Sequence, residues 1–484
     1  MKRHKHSLSH YRLLTCDPGR LIPVGCIEVL PGDTIQQQTS ALLRVSPLVA
    51  PVMHPITVRM HHWFVPNRHT WDEWEDFITG VSSATVPQGT VSGTGVGNIT
   101  DYLGIPNVNA FPYNQLPLRA YNHIYNEFYR DQDLVTEVAL TDATIKKIAW
   151  EKDYYTSARP WPQKGGEVTV PIGTKAPVFG LGTVDSTPLT GPVTVRETGA
   201  TSSTSFAEYW QSDSATKNFF IEEDPDNANY PGVYADLSAA TGVNVNELRE
   251  AFALQRYQEA RARYGSRYTE YLRYCGVTPS DARLQRPEYL GGGRQTIAFS
   301  EVLQTAPEAA SSSEVGELKG HGIAALRSRR YRRFFEEHGY ILTLMSIRPK
   351  TIYANAVPRH WLRQTKEDYY QKELEHIGQQ EITNKEVYAT VAGSGDDTFG
   401  YADRYREYRE QPSQISGNFR GTFDYWHQAR IFSSAPALNQ SFIECDPDDR
   451  IHADQTSNHK YWCMVNHSIQ ARRMVGRSAA GRII

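Results

Sequence analysis

Paired cysteines are missing from this sequence. Its five cysteines, Cys16, Cys26, Cys275, Cys445 and Cys463, are odd in number and widely spaced, and no C-x-x-C occurs among its 484 residues. That argues against a disulfide framework and a zinc knuckle, and it favours free thiols in a reducing compartment. Long apolar runs are missing too. None approaches the roughly 20 residues that cross a bilayer, so no membrane insertion is expected. The opening MKRHKHSLSHYR is basic but has no apolar stretch behind it, which makes a soluble protein synthesised in a cytoplasm the expectation. Charge of one sign is not in excess: 51 Lys and Arg stand against 54 Asp and Glu, a formal net charge of −3. A dedicated nucleic-acid binder would be basic overall. Catalytic motifs are absent as well. There is no H-E-x-x-H, no G-x-S-x-G, and no G-K-[ST] after Gly291-Gly292-Gly293. Zinc-hydrolase, serine-nucleophile and phosphate-loop chemistry have no support, and neither enzyme activity nor a cofactor is expected.

Tyrosine and arginine are plentiful. The 28 tyrosines offer broad apolar faces with one polar tip, which suits contacts between subunits and equally suits strands. Arginine outnumbers lysine 37 to 14, which favours interface ion pairs or phosphate contacts over plain solubility.

Residues 1–31 read as an extended arm, interrupted by Pro18, Pro23 and Pro31. The run ALLRVSPLVAPV from Ala41 is broken by Pro47 and Pro51. Ile56, Val58, Met60 and His62 alternate with Thr57, Arg59 and His61, as in a strand entering a buried layer. A short helix is expected over 70–78, capped by Thr70 with Glu73 three residues on and stopped by Gly80. A second is expected over 116–129, with Tyr121, Ile124, Tyr125 and Phe128 on one side. Residues 165–242 shift to Thr, Ser, Gly and Pro and read as an outward insertion of short strands and loops. Asn244, with Glu247, opens the clearest helix, which Gly265 breaks or bends. Strand-like segments follow at 296–302, 322–326, 340–347 and 350–353, and closing strands at 442–444 and 461–471. Strands at both ends of a chain, meeting across long excursions, fit an antiparallel sandwich such as a viral jelly roll.

Four strings carry a family resemblance: LPGD, ALLRVSPLVAPV and HHWFVPNR within 30–80; ELREAFALQRYQEARARYGSRYTEYL, DARLQRPEYLGGG and EVLQT within 248–302; EEHGYILTLMSIRP around 338–347; and FGYADRYREYREQPSQISGNFRG with WHQARIFSS within 399–434. They span roughly half of the chain, in order, and the sequence resembles the major capsid proteins of microviruses, in particular the gokushovirus branch. The resemblance implies a mainly β, eight-stranded antiparallel jelly-roll sandwich with long helical and loop insertions. It implies one capsid domain, its core built from about 1–164 and 243–484, with 165–242 a surface insertion that projects at three-fold axes. It also implies about sixty copies closing into an icosahedral T=1 shell around a circular single-stranded DNA genome. The implied partners are a small basic DNA-packing protein, a scaffolding protein and a host surface receptor. The implied location is the virion, assembled in the cytoplasm of a host bacterium.

Candidate contacts follow. The run from Arg327 to Arg333 would place Arg329, Tyr331 and Arg333 on one side of a strand, cations for phosphate and a ring for a base, with Arg330 and Arg332 opposite. Ion pairing between subunits, with acids such as Glu336 and Glu337, fits a non-basic protein better. Lys2, Arg3, Lys5 and Arg12 form a flexible cationic arm that either neutralises genome phosphate or is simply solvated. Trp71 and Trp74 are expected to anchor their helix on the sandwich. With Arg330, Arg332, Tyr405 and Tyr408 they are candidates for contact between subunits. Phe179, Tyr209, Trp210 and Tyr230 are candidates for a receptor-facing surface. His61-His62 and the His4/His6 pair lack carboxylates at metal-binding spacing and read as strand histidines. Asp446, Asp448 and Asp449 lack a calcium-loop spacing and read as a solvated turn. The rival reading is a β-sandwich carbohydrate-binding or carbohydrate-active protein, which would need paired carboxylates in a cleft.

Overall fold

Alternating polar and apolar residues near both ends of the sequence let one face of each strand be buried, and strands dominate there. The computed structural model describes residues 3–91, 97–169, 245–303, 318–389 and 394–476, with isolated short stretches between 170 and 244. The principal strands, numbered along the chain, are β1 (His4–Ser7), β2 (His10–Cys16), β3 (Leu21–Val29), β4 (Thr34–Val45), β5 (Ile56–Pro66), β6 (Glu288–Thr296), β7 (Ala298–Leu303), β8 (Leu318–Arg327), β9 (Tyr331–Phe334), β10 (Gly339–Pro349) and β11 (Tyr461–Arg473). They form a seven-stranded sheet, in which β1 and β2 pair with β11, then β4, then β8 and β9, with β7 beyond β8. A four-stranded sheet runs β6-β5-β10-β3. Every one of these pairings is antiparallel. The protein is mainly β, as expected, and its first strands lie beside its last.

The expected N-terminal arm is instead β1, β2 and β3. Pro23 is tolerated because β3 lies at a sheet edge and bulges between the partners Thr343 and Leu344. Residues 350–353 make only two isolated bridges, both at Tyr353, to Gln414 and Arg430, and not a strand. The expected strand over 442–444 is a helical turn, Gln440–Ile443, because the Asn439 side chain accepts from the amide of Phe442 at 3.1 Å and caps it.

Four helices matter below. Helix α1 (Trp74–Thr79) begins later than expected, since Thr70 donates its hydroxyl to the Asn67 carbonyl instead of capping. Gly80, at φ +78°, ends it. Helix α2 (Leu116–Ile124) continues as a π-helical turn, Tyr125–Tyr129. Helix α3 (Val245–Tyr264) stops at Gly265, φ +101°, before α4 (Tyr268–Tyr274). Asn244, its expected cap, lies outside the described residues.

The chain divides into two compact units, Met1–Pro162 with Arg261–Ile484, and Gln163–Ala260. In the second, Val178–Phe179 pairs with Tyr234–Ala235 and Val193–Val195 with Thr204–Phe206.

In the first unit, inward side chains of the sheets form two apolar clusters. One contains Ala41, Leu43, Ile56, Val58, Met60, Met345 and Val465. The other contains Ile27, Ile35, Phe64, Ile341 and Ile469. Between them along the same strands runs a buried polar belt of Gln37, Thr39, His62, Thr343 and His467. The other face of the smaller sheet is covered by α2 and the π turn, where Tyr121, Ile124 and Tyr125 meet Trp63, Val65, Leu342 and Leu344. This is the side of the helix predicted from its spacing.

Candidate interaction surfaces

The larger sheet has a second face. In β4 and β11 alternate residues point into the core, and their neighbours point away. Directly opposed partners on the outer face make rows. Thr15, Trp462, Arg44 and Ile323 form one, and Leu13, Met464, Leu42 and Ala325 form the next. Leu13 is 80% exposed, Trp462 47% and Met464 42%. A contiguous apolar patch of this kind, with arginine among it, marks a surface that meets a partner. A groove of about 810 Å³ borders the patch, lined by Arg12, Asp101, Tyr102 and His459 among others. Its wall is held by the Tyr102 hydroxyl, which donates to the Thr15 carbonyl at 2.6 Å. Burial lowers the pKa of the Arg12 guanidinium, and Asp101 opposes that shift. Sequence reasoning did not single out this face. Its signal was present: in YWCMV, Trp462 and Met464 stand on the side opposite Cys463 and Val465.

The residues singled out from the sequence are scattered. Arg3 lies just before β1 and donates to the Gly32 carbonyl at 3.0 Å, Lys5 is exposed on β1, and Arg12 is on β2; none belongs to a loose arm. Lys2, Tyr209, Trp210 and Tyr230 lie outside the described residues, and Phe179 is in a short strand of the second unit. The arginine run is not one strand. Arg329 and Arg330 precede β9 and are exposed, as are Arg332 and Arg333 within it. Arg333 pairs with Glu288 at 2.5 Å, and Glu337, one of the two acids expected to serve this run, pairs with Arg68 at 2.6 Å. Tyr331 does not offer a free ring for stacking. It turns inward, its ring centroid 5.5 Å from that of His62, and its hydroxyl donates to Oε1 of Gln37 at 2.7 Å.

Trp71 and Trp74 are half-buried and pack mainly on each other and on Phe77, while Trp74 also meets His338. Helix α1 buries no residue, so these rings do not anchor it deeply. Tyr405 is internal, which removes it as a contact residue. It is 4% exposed, and its hydroxyl accepts from the Gln371 amide at 3.0 Å and donates to the Tyr369 carbonyl at 3.2 Å. Tyr408 is exposed, with the Arg363 guanidinium 4.4 Å from its ring centre.

The histidines and acids weighed as metal ligands have other partners. Nδ1 of His61 lies 2.6 Å from the Tyr129 hydroxyl, and Nδ1 of His62 lies 2.9 Å from Oγ1 of Thr343. Burial pushes His61 down to about 4 and His62 to about 3, so both rings are neutral. Asp446 pairs with Lys147 at 2.7 Å, Asp448 with Arg450 at 2.5 Å and Asp449 with Lys460 at 3.8 Å. Among the described residues no cluster of ligating side chains could hold a metal ion. All five cysteines are free, and the thiols of Cys16 and Cys463 lie 3.9 Å apart in the core. No described helix is long and apolar enough to cross a membrane.

Comparison with known proteins agrees with a surface-driven role. The chain matches the capsid protein (F protein) family over residues 1–481. It is 36% identical to capsid protein VP1 of Bdellovibrio phage phiMH2K, covering 88% of this chain and 84% of that one. It is 33% identical to capsid protein VP1 of Chlamydia phage 1, covering 93% and 90%. Against capsid protein VP1 of Spiroplasma virus 4 the identity is 29%, covering 92% and 88%.

Proposed function

The chain belongs to the phage capsid protein (F protein) family, and on that premise we propose that it closes, in about sixty copies, into an icosahedral T=1 shell around a circular single-stranded DNA genome. Its role is structural and not catalytic, as in the relatives it matches, and the carbohydrate reading is not favoured. The strand order supports the eight-stranded jelly roll in particular. β2-β11-β4-β8 and β6-β5-β10-β3 are two four-strand sets, and successive strands alternate between them except from β5 to β6. The excursions then fall in 67–287 and 350–460, with 165–242 as the outward insertion that meets the host surface. Scaffolding and small basic DNA-packing proteins assist assembly in the host cytoplasm.

The observation that carries the reading is the open outer face of the larger sheet. Its apolar rows with Arg44, and Arg327 beyond them, suit the inner wall of the shell, where aromatic rings stack bases and guanidinium groups meet phosphate. Lys5 on β1 and Arg332 on β9, both exposed on that side of the sheet, extend the wall. Protein recovered from cells that also make its scaffolding and DNA-packing partners, examined by size-exclusion chromatography and electron microscopy, is expected to give closed particles of megadalton mass; a monomer from those cells overturns the reading. Particles of Trp462→Ala with Arg44→Ala are expected to form yet release DNA at lower salt. DNA retained at the wild-type salt concentration would exclude this face as the genome contact.

A further inference from the structure

A second cavity, of about 460 Å³, lies beside the π turn and is lined by β5, β10 and segments of 130–159 and 267–270. Six cations and three carboxylates line it. The carboxylates are already engaged. Asp131 is held by Lys152 and, at 3.3 Å, by Arg159; Glu151 by Lys350 at 3.0 Å and Arg59 at 3.5 Å. Glu270 accepts from the Arg267 amide at 3.0 Å and from the Gln132 side chain at 3.2 Å.

Three guanidinium groups on the wall instead hydrogen-bond to backbone carbonyls. Arg348 donates to Ala149 at 3.0 Å, Arg130 to Val135 at 2.8 Å, and Arg267 to Asn126 at 2.6 Å and to Arg130 at 3.2 Å. A carbonyl satisfies a donor but carries no countercharge. Each guanidinium has five N–H donors, so most remain to be used. Nε of Arg130 is buried and has no partner. Burial lowers the pKa of both Arg348 and Arg267, the cost of holding charge away from water, and the nearby carboxylates, Glu151 for Arg348 and Glu127 and Glu270 for Arg267, offset it only in part. Water could take the donors but would leave that cost in place, whereas a multivalent oxyanion removes it and fits the planar fork of arginine.

We propose that this cavity is an anion site that binds a phosphate group through Arg130, Arg267 and Arg348. The group is either free phosphate or the head of a phosphomonoester, and binding does not depend on whether the chain builds a shell.

The test is equilibrium dialysis of the full-length protein against labelled inorganic phosphate in a phosphate-free buffer of low ionic strength. Saturable binding near one phosphate per chain is expected, competed by sulfate and not by equimolar chloride. Arg348→Gln is expected to weaken it at least tenfold. Arg130→Lys, which keeps the charge and loses the fork, is expected to weaken it several-fold and remains decisive if the first variant fails to fold. Non-saturable uptake, competition by chloride equal to that by sulfate, or affinity unchanged in Arg130→Lys overturns the proposal. Competition with glycerol 1-phosphate assigns the source: displacement at lower concentration than inorganic phosphate identifies an ester, and displacement only at higher concentration identifies the free ion.

Discussion

Nε2 of His467, in the last strand of the larger sheet, lies 2.9 Å from the carbonyl oxygen of Val24 in the facing sheet. Its Nδ1 lies 2.9 Å from Oγ1 of Thr39. A neutral ring that donates from Nε2 and accepts at Nδ1 satisfies both contacts. The polar belt that separates the two apolar clusters therefore also ties the sheets together, and it needs His467 and its neighbour His62 uncharged.

That requirement predicts acid sensitivity. Burial pushes His467 to about 4 and His62 to about 3, while an unfolded histidine titrates near 6.5. Between roughly pH 6.5 and 4 the unfolded chain takes up protons that the native chain refuses, so stability is full at neutral pH and falls on acidification. The expected loss is about 2 kcal/mol per histidine between pH 7 and 5. Denaturant midpoints at the two pH values measure it, and His467→Gln is expected to flatten the dependence.

Gly25 lies under the same ring. A Cβ there would sit 2.8 Å from Cε1 of His467 and 3.0 Å from Nε2. Gly25→Ala is expected to cost about 1–3 kcal/mol through overpacking, read as a lower thermal midpoint. An unchanged midpoint would mean that the ring moves aside freely.

Arg430 is the hub of another cluster. Its guanidinium lies 4.1 Å from the ring centre of Phe442, 5.1 Å from Phe432 and 5.2 Å from Trp150, and it donates to the Phe442 carbonyl at 2.7 Å. Arg430→Ala is expected to cost about 3–5 kcal/mol and to lower soluble yield. Arg430→Lys is expected to rescue only part, because an ammonium cannot stack as a plane. Equal stability of the lysine variant and wild type would remove stacking from the account.

Tyr405→Phe separates an internal role from a contact between subunits. Loss of its two hydroxyl bonds is expected to cost about 1 kcal/mol and to leave particle assembly unchanged. Thermal melts and electron micrographs of the variant give the two readouts.

Much of the fold was legible where alternation was clean. β5 stood out because period-two burial is written into ITVRM before it turns apolar throughout, and β10 because GYILTLMSIRP is the near-continuous apolar run of a strand buried on both faces. The N-terminal strands were hidden by Pro18, Gly19, Pro23 and Gly25, which resemble loop punctuation. Pro23 occupies an edge bulge, and Gly25 makes room for a histidine more than 400 residues away, a reason no local pattern carries. The interaction face was half legible: alternation gave the side on which Trp462 and Met464 stand, but only tertiary structure reveals that these side chains stay exposed among the described residues. Arg333 finds Glu288 instead of its neighbours for the same reason, since pairing partners are set by sheet register. Tyr405 sits in an irregular segment, where spacing says nothing about burial.

The pairing of β1 and β2 with β11 has a consequence for biosynthesis. Hydrogen-bonding partners of residues 4–16 lie far along the chain, so the larger sheet stays incomplete until residues 461–473 leave the ribosome. Nascent chains must therefore carry an unsatisfied strand edge until then. Such an edge is a template for pairing with another chain, so chaperone protection is most valuable until β11 docks between β2 and β4.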